Sequence, residues 1–137
     1  DSSGDQTSVC VMLDKDVISF SSKHERKDRP NWNQLLSNIG HKKIFQLDDI
    51  DLFAYANSEN SYTATRSVAT YLKAVTVALD KPLVAVLAEE HEGAHADKIA
   101  MAAKQQFENS GFDRKAFDPD DANPVYTIDT QYKKINE

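Results

Sequence analysis

The sequence predicts an α/β domain in which helices pack on a mixed sheet. Three observations carry this. Short β-branched, apolar runs alternate with longer segments of helical period after an initial strand pair. The 137 residues are enough for one ordinary domain with a real hydrophobic core. A composition of 40% hydrophobic and 28% charged residues, with 4 Gly and 4 Pro, excludes disordered, collagen-like and low-complexity chains.

Asp1-Ser2-Ser3-Gly4-Asp5 reads as a small polar loop, and Thr7 to Leu13 (TSVCVML) as a strand. Asp14-Lys15-Asp16 then makes a tight polar turn into Val17 to Phe20, completing a β-hairpin. Trp32, Leu35, Leu36 and Ile39 recur at i, i+3, i+4, i+7, one face of a helix. Pro30 suits its first turn, Asp28 is a candidate cap and Gly40 the stop; the alternative start is near His24. Ile50, Leu52, Phe53 and Tyr55 read as a strand. A long helix follows from about Ser61 to Leu79. Ala64, Val68, Leu72, Val75 and Leu79 form its main stripe, widened by Ala69, Ala74, Val77 and Ala78. The polar remainder, Arg66, Ser67, Thr70, Lys73 and Thr76, is narrow, so this helix is expected to be covered on two sides. Its alanines allow a second helix to approach closely. Lys81-Pro82 ends it, and Leu83 to Leu87 (LVAVL) is a buried-type strand. After an acidic stretch, Ile99, Ala102, Ala103, Gln106 and Phe107 mark the inner face of a last helix stopped at Gly111. Asp118 to Asp121 reads as a turn and Val125 to Ile128 as a short terminal strand.

The net charge of −6 and a pI near 5.2 argue against direct binding of a nucleic-acid duplex, which calls for a basic face. The run Lys23 to Arg29 is interrupted by acids and reads as a solvated helix start. A lone cysteine, Cys10 between two valines, favours a reducing compartment and a buried strand position over a reactive thiol. No apolar run approaches a membrane span and no secretory leader is read, so the cytoplasm is the expected location.

One catalytic pattern stands out. His91-Glu92-Gly93-Ala94-His95 matches H-E-x-x-H, which on a helix sets two imidazoles on one face to share a zinc ion, with the glutamate as base. A catalytic zinc needs a third protein ligand; no third histidine lies downstream and the only later glutamates are Glu108 and Glu137. Gly93 weakens the helix, and Glu89, Glu90, Asp97 and Lys98 flank the run. An exposed helix start is therefore the simpler reading, and a metal-dependent hydrolase through His91 and His95 the alternative. Walker and G-x-G-x-x-G motifs are absent from the sequence.

The junction after the strand ending at Ala56 resembles a known family. Asn57-Ser58-Glu59-Asn60-Ser61-Tyr62-Thr63-Ala64-Thr65-Arg66 looks like the G-P-G-S-F/Y-T-G-x-R signature of the TsaB (YeaZ) family, with Ser61, Tyr62, Thr63 and Arg66 matching. Glu59, Asn60 and Ala64 stand where the signature has proline and glycine. Other pieces follow in family order. Asp1-Ser2-Ser3 resembles the D-T/S-S/A that ends the family's first strand, and Thr7-Ser8-Val9 its next strand. His24 with Pro30 resembles the start of its first helix, Lys81 to Val86 the strand after its second helix, and Ala122-Asn123-Pro124-Val125-Tyr126 its closing A-x-P-x-Y.

The resemblance implies the actin-like, sugar-kinase-like ATPase (ribonuclease H-like) fold, here incomplete. Residues 1–87 would be an N-terminal lobe lacking its first strand, and 88–137 a C-terminal helix and tail with the second lobe missing. Residues 87–95 would then join stretches that are not contiguous in a longer chain, which would empty the His91–His95 run of meaning; otherwise this is a shortened member. The implied role is a non-catalytic scaffold with no catalytic residue, cofactor or metal of its own. It would support a TsaD-type catalytic subunit and a TsaE-type ATPase in making threonylcarbamoyladenosine on tRNA, touching tRNA only indirectly. Pairing, with TsaD or with a second copy, is implied through the first two helices, for which the candidate contacts are His24, Trp32, Leu36, Tyr62, Arg66, Ala69, Lys73 and Ala74. Loss of the glycines around Asn57 to Asn60 removes close phosphate approach and argues against nucleotide turnover. A nucleotide hydrolase on the same fold is the other enzyme alternative.

Overall fold

Eight β-branched and apolar residues, Gln6–Leu13, form β1, and Asp16–Lys23 form β2 antiparallel to it, with Leu13 opposite Asp16. Asp14 takes φ +50°, the left-handed conformation that a tight hairpin turn needs and aspartate tolerates. The structure is a computed structural model that describes residues 1–2, 5–14, 16–25, 30–57, 62–87 and 95–119. Asp28 and the 125–128 strand expected above lie outside these residues.

The first helix, α1 (Trp32–Ser37), is shorter than its periodicity suggests. Its cap is Asn31, whose side-chain oxygen accepts from the Gln34 amide at 3.2 Å. Gly40 supplies the stop at φ +105°, where an added Cβ would stand 2.8 Å from Ile44 Cδ1. Gly40→Ala therefore combines a left-handed penalty with a side-chain clash. It is expected to cost about 1–3 kcal/mol, read as a lower urea midpoint at unchanged slope.

A 3-10 turn at Leu47–Asp49 delays the next strand, so β3 is Phe53–Asn57. The long helix α2 (Tyr62–Leu79) returns the chain to β4 (Leu83–Leu87), which lies parallel to β3 with Phe53 opposite Leu83. Asp80, at φ +56°, closes α2 without a glycine: the Lys81 amide donates to Thr76 at 2.9 Å and the Asp80 amide to Val77 at 3.4 Å. The last helix is α3 (Ala96–Asn109), ended by Gly111 at φ +76°, with a 3-10 turn at Arg114–Phe117 beyond it.

The mixed sheet is present as two two-stranded pieces, β1-β2 and β3-β4. Helices cover both faces. Val9 and Val11 of β1 pack on Leu35, Ile39 and Phe45, while Phe53 and Tyr55 of β3 pack on Val68 and Ala69 of α2. The opposite face of β3-β4, through Ala56, Val84 and Val86, packs on Ile99 and Ala103 of α3. Trp32 of α1 stacks on Tyr71 of α2, ring centroids 5.1 Å apart and planes 14° apart, which sets α1 and α2 side by side in one layer. The result is α1 and α2 on one face and α3 on the other.

Candidate functional site

The outer surface of α2 is the first candidate. Its inner side is buried at Thr65, Val68, Ala69 and Thr76, with Leu72, Val75 and Leu79 packed against the same core. Arg66, Ser67, Thr70, Ala74, Val77 and Ala78 are exposed and lie on the opposite side, one to two turns apart. Val77 is 53% exposed. The small residues Ser67, Ala74 and Ala78 leave the helix backbone open to close approach beside it.

Thr76 is reversed relative to the periodicity, and three of the four residues that widen the stripe, Ala74, Val77 and Ala78, are exposed. Thr76, read as polar surface, is fully buried; its hydroxyl donates back to the Leu72 carbonyl at 2.7 Å and so needs no water. Val77, read as part of the apolar widening, faces outward.

The sequence-derived contact residues separate accordingly. Ala74 and Arg66 lie on the outer face of α2, and Lys73 is half-exposed at its edge. Ala69 is 3% exposed and belongs to the chain's own core. Tyr62 is the first residue of α2, and its side chain lies outside the described part of the structure. Trp32 is half-buried on Tyr71, and Leu36 is half-buried against the Val9–Val11 cluster. The Trp32–Tyr71 pair that joins the two helices was not foreseen; a tryptophan and a tyrosine on facing apolar stripes were its only signal.

His24 sits away from this face, at the end of β2. Its Nε2 lies 2.8 Å from the Thr7 hydroxyl, which in turn lies 3.0 Å from the Ser2 hydroxyl. Its Nδ1 is 2.9 Å from the Glu25 carbonyl, so Nδ1 donates and, in the neutral ring, Nε2 accepts from Thr7. This sequence of hydroxyls and imidazole has the order of an activated nucleophile. Ser2 and Thr7 are only 6% and 1% exposed, and the chain of bonds fastens the 1–2 segment and β2 to β1.

The N-terminal end of α3 meets the same corner. The His95 amide donates to the Asp1 carboxylate at 2.8 Å and the Ala96 amide to the Ser8 hydroxyl at 3.1 Å. Two of the amides that an anion would use are therefore already taken by the chain itself. His95 precedes α3 in a non-helical conformation, φ −132° and ψ 75°, which departs from the helical spacing that H-E-x-x-H requires at its second histidine. His91 to Ala94 lie outside the described residues. Among the described residues no group of three or more His, Cys, Asp or Glu is placed to hold a metal ion. Burial pushes the Cys10 thiol up, reinforced by the nearby Asp97 carboxylate, so the thiolate form is disfavoured. Among the described residues no helix is long and apolar enough to cross a membrane.

The fold defines a layered α/β protein with helices on both faces of its strands. It is similar to that of YeaZ from Pseudomonas aeruginosa, with a TM-score of 0.58 and 16% sequence identity over 80% of this chain and 47% of that one. This chain thus spans about half the length of the solved structure it matches. No protein-family model and no curated protein matches the sequence.

Proposed function

We propose that this chain is a non-catalytic scaffold subunit in tRNA modification, working in the cytoplasm beside a TsaD-type catalytic subunit and a TsaE-type ATPase that form threonylcarbamoyladenosine on tRNA. The observation that carries the reading is the outer face of α2 on a YeaZ-like fold: Ala74, Val77 and Ala78 exposed in a row, flanked by Arg66, Ser67 and Thr70. Apolar and small residues exposed together on one helix face favour a partner helix over water. Arg66 and Lys73 bring positive charge to the rim of that face in a chain of net charge −6, which suits an acidic partner helix. The same face serves a second copy of the chain when the catalytic subunit is absent. The acidic chain leaves contact with tRNA to its partners.

Reconstitution tests this. TsaD-type and TsaE-type subunits of the same organism, with substrate tRNA and the small-molecule substrates, are expected to form the modified nucleoside only when this chain is added. Equal product without it would overturn the scaffold role. Product from this chain without the TsaD-type subunit would make it an enzyme.

A further inference from the structure

Strand β2 is bonded along one edge. Among the described residues it pairs with β1 and with no other strand. None of its residues is buried, and Val17 is 52% and Phe20 36% exposed. Soluble proteins blunt such edges with a proline, a bulge or a charge in mid-strand. β2 carries none of these. Its ladder with β1 is unbroken from Asp16 to Lys23, and Val17 to Ser22, between those charged ends, contain no charge, glycine or proline.

The backbone groups of β2 alternate between its two edges, and two sets of bonds fix the phase. The His24 amide donates to the Asp5 carbonyl at 2.8 Å, on the β1 side. Ser8, which lies opposite Ser21, bonds through its own amide and carbonyl to Asp1, on the far side of β1. Even-numbered residues of β2 therefore bond to β1, while Val17, Ser19, Ser21 and Lys23 present their amides and carbonyls at the open edge.

We infer that this edge pairs with the same edge of a second copy, antiparallel, about a two-fold axis at Phe20. Outward residues must stand opposite outward residues, so the axis falls on a residue and not between two. At Phe20 it matches the whole stretch from Asp16 to His24; at Ser19 or Ser21 the match is shorter. Val17 then bonds opposite Lys23 of the second copy, and Ser19 opposite Ser21. In the closer, non-hydrogen-bonded pairs Phe20 meets Phe20, Ile18 meets Ser22 and Asp16 meets His24. Phe20 lies opposite Val9 in β1, so the two rings stand beside the Val9–Val11 cluster of each copy and cover one another. Charge selects the direction. Antiparallel pairing brings the acidic end of one strand, Asp14 and Asp16, beside Lys23 and His24 of the other, whereas parallel pairing sets Asp16 on Asp16 and Lys23 on Lys23. Each copy uses one edge, so the assembly closes at two.

The inference goes beyond the proposed function and leaves its contact face open, because α2 packs on β3 of the other sheet. The test is sedimentation velocity of the Ala74→Glu chain, in which pairing through α2 does not contribute. A concentration-dependent dimer is expected. Ser19→Pro removes an outward donor and leaves the β1 ladder whole, so it is expected to weaken the dimer at least about tenfold with an unchanged cooperative melt. In a Cys10→Ser background, Phe20→Cys is expected to oxidise to a disulfide-linked dimer at least about tenfold faster than Ser22→Cys, since position 20 alone faces itself across the axis. A monomer at every concentration would overturn the inference, as would a dimer indifferent to Ser19→Pro. Equal cross-linking at positions 20 and 22 would overturn the register, and species that grow beyond two copies would replace the closed pair with open-ended edge stacking.

Discussion

Ala74→Glu is expected to weaken binding to the TsaD-type subunit by at least about a hundredfold while leaving the melting temperature within about 2 °C. Ala74 is exposed in the middle of the outward row of α2, so the folded chain accommodates a longer side chain there without repacking. Glutamate is nearly as good a helix former as alanine, so the helix itself loses only a few tenths of a kcal/mol. In a helix–helix contact the new carboxylate must give up water without a partner, at a cost of about 3 kcal/mol or more, which is the stated loss of affinity. Ala69→Glu provides the contrast. Ala69 is 3% exposed between Phe53, Tyr55 and Val68, so the same charge placed there is expected to unfold the domain. Calorimetric titration of the two variants, each checked by thermal melting, separates interface from core. Full-strength binding by a folded Ala74→Glu chain would remove that face from the contact.

The second large effect concerns pH. In a polypeptide whose amino group is that of Asp1, burial lowers the amine pKa from 8.0 to about 5. The residue as a whole is only half-buried, because its carboxylate reaches outward to α3 while the amine is enclosed beside Ser8. Between pH 5 and 8 the unfolded chain holds a proton on this group that the folded chain lacks, so stability rises with pH across that window. The full contribution is present above pH 8 and lost below pH 5, with a ceiling of about 4 kcal/mol for a shift of this size. Urea denaturation at several pH values is expected to show this rise, and acetylation of the amine to remove it. An acetylated chain with the same pH slope would place the titration elsewhere.

Much of the fold was legible because local signals and tertiary packing agree. The hairpin turn at Asp14, the strand Leu83–Leu87 and the stop of α3 at Gly111 all fall where turn chemistry and periodicity set them. Where local signals competed, the reading slipped. Asn31 caps α1, a position next to the helix that the reading passed over in favour of Asp28. Ile39 is buried although α1 has already ended at Ser37, so the i+7 spacing marked burial and not helix. Ile50 was read into a strand that begins at Phe53, because the turn at Leu47–Asp49 is fastened by the Gln46 amide on the Asp49 carboxylate at 2.9 Å.

The outer face of α2 was half legible. A helix apolar over most of its circumference predicts two covered sides, of which this fold covers one, and periodicity does not say which small residues serve which side. Ala69 and Ala74 differ only in register against β3, and the sequence weighs them alike. Thr76 turned inward because its hydroxyl bonds to its own helix backbone, an option invisible in a polar–apolar pattern. The Asp1 carboxylate at the start of α3 joins residues 94 apart in sequence, and no local signal reaches across that distance.

The measurement that tests the central claim most directly is isothermal titration of this chain into the TsaD-type subunit of the same organism. The account predicts a saturable complex with a negative heat-capacity change, the mark of apolar surface leaving water, and its loss in Ala74→Glu. The absence of any complex, with the chain shown to be folded by its cooperative melt, would contradict the scaffold reading.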